Sequence, residues 1–259
     1  MLFEPLTNSI DSAIKLIEEA ESRNIVVSVG HIERFNPAVT ELLYEIRNGV
    51  LGKPLTILSR RVGPFVPRVR DTDVIYDLGI HEIDIHLYIL NNYPYQLRAH
   101  GLKNIVTTNN LYDHAWITLN YGENLSSIEV NRVTPFKLRK LYLTTREAVA
   151  VLDYIDQDLH IYRSKYDVAV RVKREEPLYI EDLLNILYFL RNKKALVDHY
   201  QAFTSMLLCE KSIESASKSR ELDLEDDETY IVYRDYVVKG LSGYRSFINV
   251  LEELRDQLL

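Results

Sequence analysis

The chain has 259 residues, 46% of them hydrophobic and 27% charged, which is enough apolar surface for one large domain or two small ones. A formal net charge of -7 argues against nucleic acid as a partner, though it leaves room for a local basic pocket. The single cysteine, Cys209, excludes an internal disulfide or a cysteine zinc cluster; MLFEPLTNSI has no apolar run of leader length and no segment reads as a membrane span, so a soluble cytoplasmic protein is expected.

Residues 10–22, IDSAIKLIEEAES, put Ile10, Ala13, Ile14 and Ile17 on one helical face, with Ser9 as N-cap. IVVSV at 25–29 is a β-branched run of strand length, expected to be buried on both sides. In RFNPAVTELLYEIRNGVLG, Asn36 caps a helix, Pro37 takes its first position, Leu42, Leu43 and Ile46 make the stripe, and Gly49 ends it. PLTILSRRV reads as a strand, and GPFVPRVRD as a basic loop stiffened by prolines.

DLGIHEIDIHLYIL, residues 77–90, follows. It is apolar on nearly every side, yet Asp77, His81 and Asp84 recur at i, i+4 and i+7, on one face of a regular helix. Three readings compete: a hydrogen-bonded structural strip with Asp77 as the cap, a metal site using His81, Asp84 and His86, or an acid–base pair in which a carboxylate fixes the tautomer of an imidazole. Metal is the least favoured, because His86 points off the shared face. The loop before the helix adds Arg60, Arg61, Arg68 and Arg70 to an otherwise acidic chain, and guanidinium forks suit phosphate or carboxylate groups.

From about Gln96 to Arg174 the pattern alternates. In HAWITLNY, Ala115, Ile117, Leu119 and Tyr121 lie on one side, and YGEN at 121–124 is a turn. Short strands continue through KLYLTT, AVAVLD, DLHIYR and DVAVRVKR, which predicts an antiparallel meander covered by helices on one face. Helices are predicted at 181–191 and 199–218. After the acidic DLEDDE, Tyr230, Tyr233 and Val237 share a face, Gly240 and Gly243 break the pattern, and Phe247, Ile248, Leu251, Leu254 and Leu258 mark a last amphipathic helix.

VGHIERFNPAV (29–39), LGKP (51–54), RRVGPF (60–65), DLGIHEIDI (77–85), NRVTPFKLRKLYLTT (131–145) and EEPLYIEDLLNILYFLRNKKALVD (175–198) together resemble the glucose–fructose oxidoreductase / inositol dehydrogenase family, Gfo/Idh/MocA. RRVGPF and VTPFKLR look most like the branch acting on UDP-N-acetylhexosamines. The resemblance implies an α/β (α+β) fold: a large, mostly antiparallel open sheet covered by helices on one face and preceded by the last helix and strand of a truncated Rossmann domain. Residues 1–33 are then the dinucleotide-domain remnant, 34–222 the substrate and oligomerisation domain, and 223–259 an extra helical tail. It also implies NAD or NADP as cofactor, a sugar or nucleotide-sugar ligand, and a homo-oligomer formed through the sheet face.

By resemblance, His81 matches the acid–base histidine and Asp77 its partner carboxylate. Arg60, Arg61, Arg68, Arg70, Asp84, Arg34 and Asn36 would border the substrate, and Glu4, Pro5 and His31 the cofactor. Two departures matter. The Gly-rich dinucleotide fingerprint is absent, and the family's Glu-Lys-Pro reads Phe3-Glu4-Pro5, with Glu4 where the catalytic lysine belongs. Three possibilities follow: a split enzyme whose Rossmann domain comes from a separate subunit, a catalytically inactive relative binding a sugar nucleotide or a protein through its tail, and a degenerate product.

Overall fold

At the N-terminus the Ser9 side chain accepts a hydrogen bond from the Ser12 N–H at 3.2 Å and starts helix α1 (Ile10–Ser22). Helix α1 joins two short parallel strands, β1 (Leu2–Phe3) and β2 (Val29–Gly30). This computed structural model describes residues 2–67, 71–163, 166–170 and 177–258. The strand expected at 25–29 is reduced to its last residue: Ile25 is 53% and Val26 42% exposed, Ser28 makes only an isolated bridge to Asp198, and the strand begins at Val29. A β-branched run forms a strand only where a neighbouring strand takes its hydrogen bonds, and β1 offers two residues.

Asn36 accepts from the Ala38 N–H and opens α2 (Pro37–Arg47), with Pro37 at the first position and Gly49 at φ +70 beyond the end. The chain then enters a nine-stranded open sheet. Its strands are β3 (Thr56–Val62), β4 (Gln96–Lys103), β5 (Tyr112–Asn120), β6 (Leu125–Asn131), β7 (Leu138–Thr144), β8 (Ala148–Asp153), β9 (Asp158–Arg163), β10 (Tyr166–Val170) and β11 (Leu222–Asp223). The spatial order is β10-β9-β8-β7-β3-β6-β5-β4-β11, antiparallel throughout except for β3 beside β6. The mostly antiparallel sheet expected from the sequence is therefore present.

One face of the sheet is dry. Ile57, Leu97, Ala115, Ile117, Leu119, Ile128, Leu141, Leu143, Ala150 and Leu152 are all fully or nearly fully buried there. Helices α3 (Ile80–Leu90) and α5 (His199–Lys218) pack over it. The other face carries Leu58, Trp116 and Tyr162, exposed by 37%, 45% and 44%. Helix α5 begins with a capping box between Asp198 and Gln201, and α4 (Pro177–Asn192) precedes it.

The tail differs from expectation. After α6 (Glu228–Val232), helix α7 runs unbroken from Arg234 to Leu258, through both glycines expected to interrupt it. A Cβ at Gly240 would lie 2.3 Å from Thr204 Oγ1 and 2.7 Å from the Tyr200 carbonyl oxygen. The glycines thus allow α7 to lie against α5 at close range. Val237, Tyr244 and Phe247 are buried, and one hydrophobic core runs from Leu6 to Phe247.

Candidate active site

The site is built at the start of α3. Asp73 caps the helical turn that leads into it, its Oδ1 accepting from the Ile75 N–H at 2.9 Å and its Oδ2 from the Tyr112 N–H at 3.0 Å. The cap expected at Asp77 is therefore four residues earlier. Between Ile75 and Gly79 the backbone makes a π-helical turn before the regular helix begins. Such a turn rotates the residues ahead of it relative to 3.6-residue periodicity, so Asp77 is offset from His81 and Asp84, which stay on the regular helix.

Asp77 faces outward. It lines a cavity of about 210 Å³ together with Arg61, Asn131, Arg132, Lys137 and Arg139, walled by the segment Val62–Val66. Its nearest basic partner is Arg132, with Nη2 at 4.0 Å from Oδ2. Burial pushes the Asp77 carboxyl above the usual carboxylate range, against the pull of Arg132, His81, Arg61 and Arg139. The β6–β7 connection shapes this cavity through Asn131, whose Oδ1 accepts from the N–H groups of Val133 and Thr134. Four cations and one carboxylate line it, but carboxylates behind the wall meet much of that charge: Arg61 pairs with Glu33 and Glu82, each at 2.6 Å, Arg139 lies 3.8 Å from Glu33 and Arg132 lies 3.8 Å from Asp113.

His81 faces inward and across. Its Nδ1 lies 2.7 Å from Glu4 Oε2, while the side chain keeps 21% exposure. The other Glu4 oxygen lies 2.7 Å from His31 Nδ1, which is also 3.2 Å from Asp84 Oδ2. Asp84 in turn accepts from Arg34 Nε at 2.7 Å, Arg34 Nη2 at 2.5 Å and the Tyr244 hydroxyl at 2.7 Å. The Arg34 guanidinium stacks over the Tyr244 ring at 4.3 Å.

This is a buried chain of alternating charge. Burial alone would push Glu4 up, but His31 and His81 win and hold it at about 2. Burial likewise disfavours the charged form of His31, yet Asp84 and Glu4 hold its pKa at about 9. Asp84 is held well below the usual carboxylate range, Arg34 and His31 outweighing its burial. His86 is a different case: neutral, its Nε2 2.6 Å from Ser59 Oγ and its Nδ1 2.5 Å from Ser126 Oγ, with burial driving its pKa down to about 3.

The residues singled out in the sequence thus fall into groups. Asp77 and Arg61 line the cavity, and His81 joins Glu4 and His31. Arg34 and Asp84 are less than 2% exposed and face each other inside the fold, and Asn36 is spent on capping α2 and on the Tyr154 carbonyl oxygen. Arg60 alternates with Arg61 along β3, so it emerges on the opposite sheet face and pairs with Glu129. Arg68 and Arg70 lie outside the described residues. Pro5 follows Glu4 through a cis peptide. Sequence reasoning missed Glu33, Glu82, Arg132, Lys137, Arg139 and Tyr244. Glu33, Glu82 and Tyr244 have no periodic signature, while Arg132, Lys137 and Arg139 sit in the NRVTPFKLR segment and were visible as a basic cluster there. Among the described residues no group of three or more His, Cys, Asp or Glu side chains is arranged to hold a metal ion, and no helix is long and apolar enough to cross a membrane.

The residues available do not fit a dinucleotide. Glu4 and His31 are closed inside the charge chain with side-chain exposures of 3% and 2%, and β1–α1–β2 presents no glycine-rich phosphate turn among the described residues.

Residues 41–151 match the family model described as the GFO/IDH/MocA C-terminal domain. The UDP-N-acetylglucosamine 3-dehydrogenase of Acidithiobacillus ferrooxidans is 31% identical over 199 residues, covering 72% of this chain and 62% of that protein. Its solved structure superposes with a TM-score of 0.76 at 26% identity, covering 84% of this chain and 70% of that one. The inositol 2-dehydrogenase of Rhodococcus erythropolis is 33% identical over 90 residues, 34% of this chain and 26% of that protein. An oxidoreductase of Agrobacterium radiobacter, solved with NAD+, L-tartaric acid and magnesium, shares the fold at TM-score 0.74 and 18% identity, over 85% of this chain and 71% of that one. The chain spans 62% of the length of the first of these relatives.

Proposed function

We propose that the chain is a member of the Gfo/Idh/MocA family of sugar and nucleotide-sugar oxidoreductases, and that it is the substrate-binding and oligomerising part of an NAD(P)-dependent dehydrogenase whose Rossmann domain comes from another polypeptide. The observation that carries this is the juxtaposition at the start of α3: Asp77 in a basic cavity, with His81 one turn on and partly exposed. His81 takes the proton of the sugar hydroxyl. Arg132, Lys137 and Arg139 supply the positive field that a nucleotide diphosphate needs, which supports a nucleotide sugar over a free one.

The exposed Ile25 and Val26 beside the short β1–β2 pair, and Ile186, Leu187, Phe189 and Leu190 on α4, support a partner on that side. Leu58, Trp116 and Tyr162 on the open sheet face support self-association there. We further infer that 1–33 is the dinucleotide-domain remnant, 34–222 the substrate domain and 223–259 an addition.

The test is to purify the protein from its native source, take intact masses of it and whatever accompanies it, and assay NAD(P)-dependent oxidation of UDP-N-acetylglucosamine. Turnover by this chain with a Rossmann-sized companion, abolished by His81→Ala in a folded protein, is the expected result. Turnover unchanged in His81→Ala refutes the role of His81. Glu4, buried where the family has lysine, favours a second reading: a relative that binds the nucleotide sugar without oxidising it. Tight binding of UDP-N-acetylglucosamine with no turnover under any pairing selects that one.

A further inference from the structure

In the family pattern Asp77 is the carboxylate that partners the acid–base histidine. The geometry points to another: we propose that Glu4 is the positioning residue of His81, holding its proton on Nδ1 and leaving Nε2 as the acceptor, while Asp77 is released to face the ligand. The proposal rests on the reading of His81 as the acid–base group.

Three observations carry it. First, Glu4 Oε2 lies 2.7 Å from His81 Nδ1, whereas the closest ion-pair partner of Asp77 is Arg132 at 4.0 Å. A neutral imidazole has one donor and one acceptor nitrogen, so a carboxylate beside the buried Nδ1 leaves Nε2 as the acceptor, on a side chain that keeps 21% exposure. Second, Glu4 is itself held. Its other oxygen is 2.7 Å from His31 Nδ1, and His31 is backed by Asp84, Arg34 and Tyr244. The tyrosine comes from α7, so the helix appended at the C-terminus closes the support for a residue at position 4. Third, the charges match the substitution. Glu4 stays ionised, at about 2, and His31 stays protonated, at about 9. A lysine at position 4 would face His31 and His81 directly, with Asp84, already engaged by Arg34, as the carboxylate left to His31. The acid at position 4 and the buried imidazolium at position 31 therefore act as a pair that moves the positive charge one residue inward and turns the vacated position into an imidazole-orienting carboxylate.

The tautomer of His81 tests this without any assay of activity. The full chain, labelled with 15N-histidine, is studied by long-range 1H–15N correlation at pH 8, where an ordinary imidazole is neutral. In the wild type, His81 is expected as the Nδ1–H tautomer; an Nε2–H tautomer overturns the proposal before any variant is made. Glu4→Ala should shift His81 to Nε2–H, and Asp77→Asn should leave it at Nδ1–H. The reverse pattern, or no response to either substitution, refutes it. If Glu4→Ala does not fold, Glu4→Gln replaces it. Gln keeps the shape and removes the charge, so it should broaden or split the His81 Nδ1–H signal, and an unchanged signal refutes the proposal. In the assembled enzyme Glu4→Gln should lower kcat by about 100-fold with KM within about twofold. Full turnover in His81→Ala together with the expected tautomers would sink the acid–base reading and leave the Glu4–His81 pair standing.

Discussion

Replacing His31 by glutamine should remove the alkaline limb of the stability curve, and it should also ease the downward hold on Glu4 and Asp84 that shapes the acid limb. His31 is fully buried, and Asp84 and Glu4 raise its pKa from 6.5 to about 9. Its folded pKa lies above its unfolded one, so its contribution is complete below pH 6.5 and is lost as pH climbs to 9. A displacement of that size corresponds to about 3 kcal/mol, falling at about 1.4 kcal/mol per pH unit. On the acid side the opposite sign holds. His86, driven down to about 3 by burial, contributes fully above pH 6.5 and loses that contribution as pH falls towards 3. Glu4 behaves alike, complete above about 4.5 and lost towards 2. The wild-type curve should therefore be a tent with its apex near pH 6.5. Urea unfolding followed by circular dichroism, at half-unit steps from pH 6 to 9.5, gives the wild type and His31→Gln side by side. The difference between them should be flat to pH 6.5 and shrink by about 3 kcal/mol by pH 9. A difference constant to within about 0.5 kcal/mol over the whole range would show that His31 is not held protonated, and the alternating charge chain would fall with it. Direct titration of the His31 ring by NMR gives the same answer should the variant be too unstable to unfold reversibly.

Other substitutions probe the neighbouring claims. Phe247→Ala removes a fully buried ring that packs edge-on against Phe35 at 5.4 Å and Tyr88 at 5.3 Å, and should cost about 3–5 kcal/mol in thermal unfolding; a loss under about 1 kcal/mol would mean that α7 is not part of the core. Gly240→Ala should lower the melting temperature, because overpacking against Thr204 and Tyr200 at about 1–3 kcal/mol exceeds the gain of about 1 kcal/mol in helix propensity; a rise would refute the close α5–α7 approach. Arg139→Met should weaken UDP-N-acetylglucosamine binding about tenfold, or about 1.4 kcal/mol, in calorimetry at low salt, whereas Arg60→Met, on the far sheet face, should not. Leu58→Asp, placed mid-sheet on the open face, should dissociate any oligomer formed there, read by sedimentation velocity; an unchanged assembly would move the interface elsewhere.

Elements with a local cause were legible in the sequence. Helix α1 falls at 10–22 and α5 at 199–218 as the apolar stripe and caps indicate, and the period-2 alternation of Ala115, Ile117 and Leu119 marks the buried sheet face residue by residue. What failed depended on partners distant in sequence. IVVSV has the composition of a buried strand, but a strand is made by its neighbours, and β1 gives it two residues of pairing. Gly240 and Gly243 look like helix breakers until the α5 surface that needs their missing side chains is in place. The four arginines of 60–70 read as one basic loop, yet β-strand alternation sends Arg60 and Arg61 to opposite faces.

The polar stripe on α3 teaches the same lesson at the site. Periodicity placed Asp77, His81 and Asp84 on one face, and a π-helical turn, which has no sequence signature in a stretch such as IYDLG, set Asp77 apart in a cavity while His81 and Asp84, on the regular helix, met a carboxylate and an arginine. Each buried carboxylate on that helix is met by a cation from another element, Glu82 by Arg61 of β3 and Asp84 by Arg34 ahead of α2, while the His81 ring meets the Glu4 carboxylate after β1. Removing one partner of such a pair leaves an uncompensated buried charge at a cost of about 3–5 kcal/mol. A change at position 4 therefore cannot be neutral for the helix. An ammonium there would need the His31 and Arg34 charges rebuilt, which is why the acid at position 4 is better read as one half of a coordinated rearrangement around His81 than as an isolated loss.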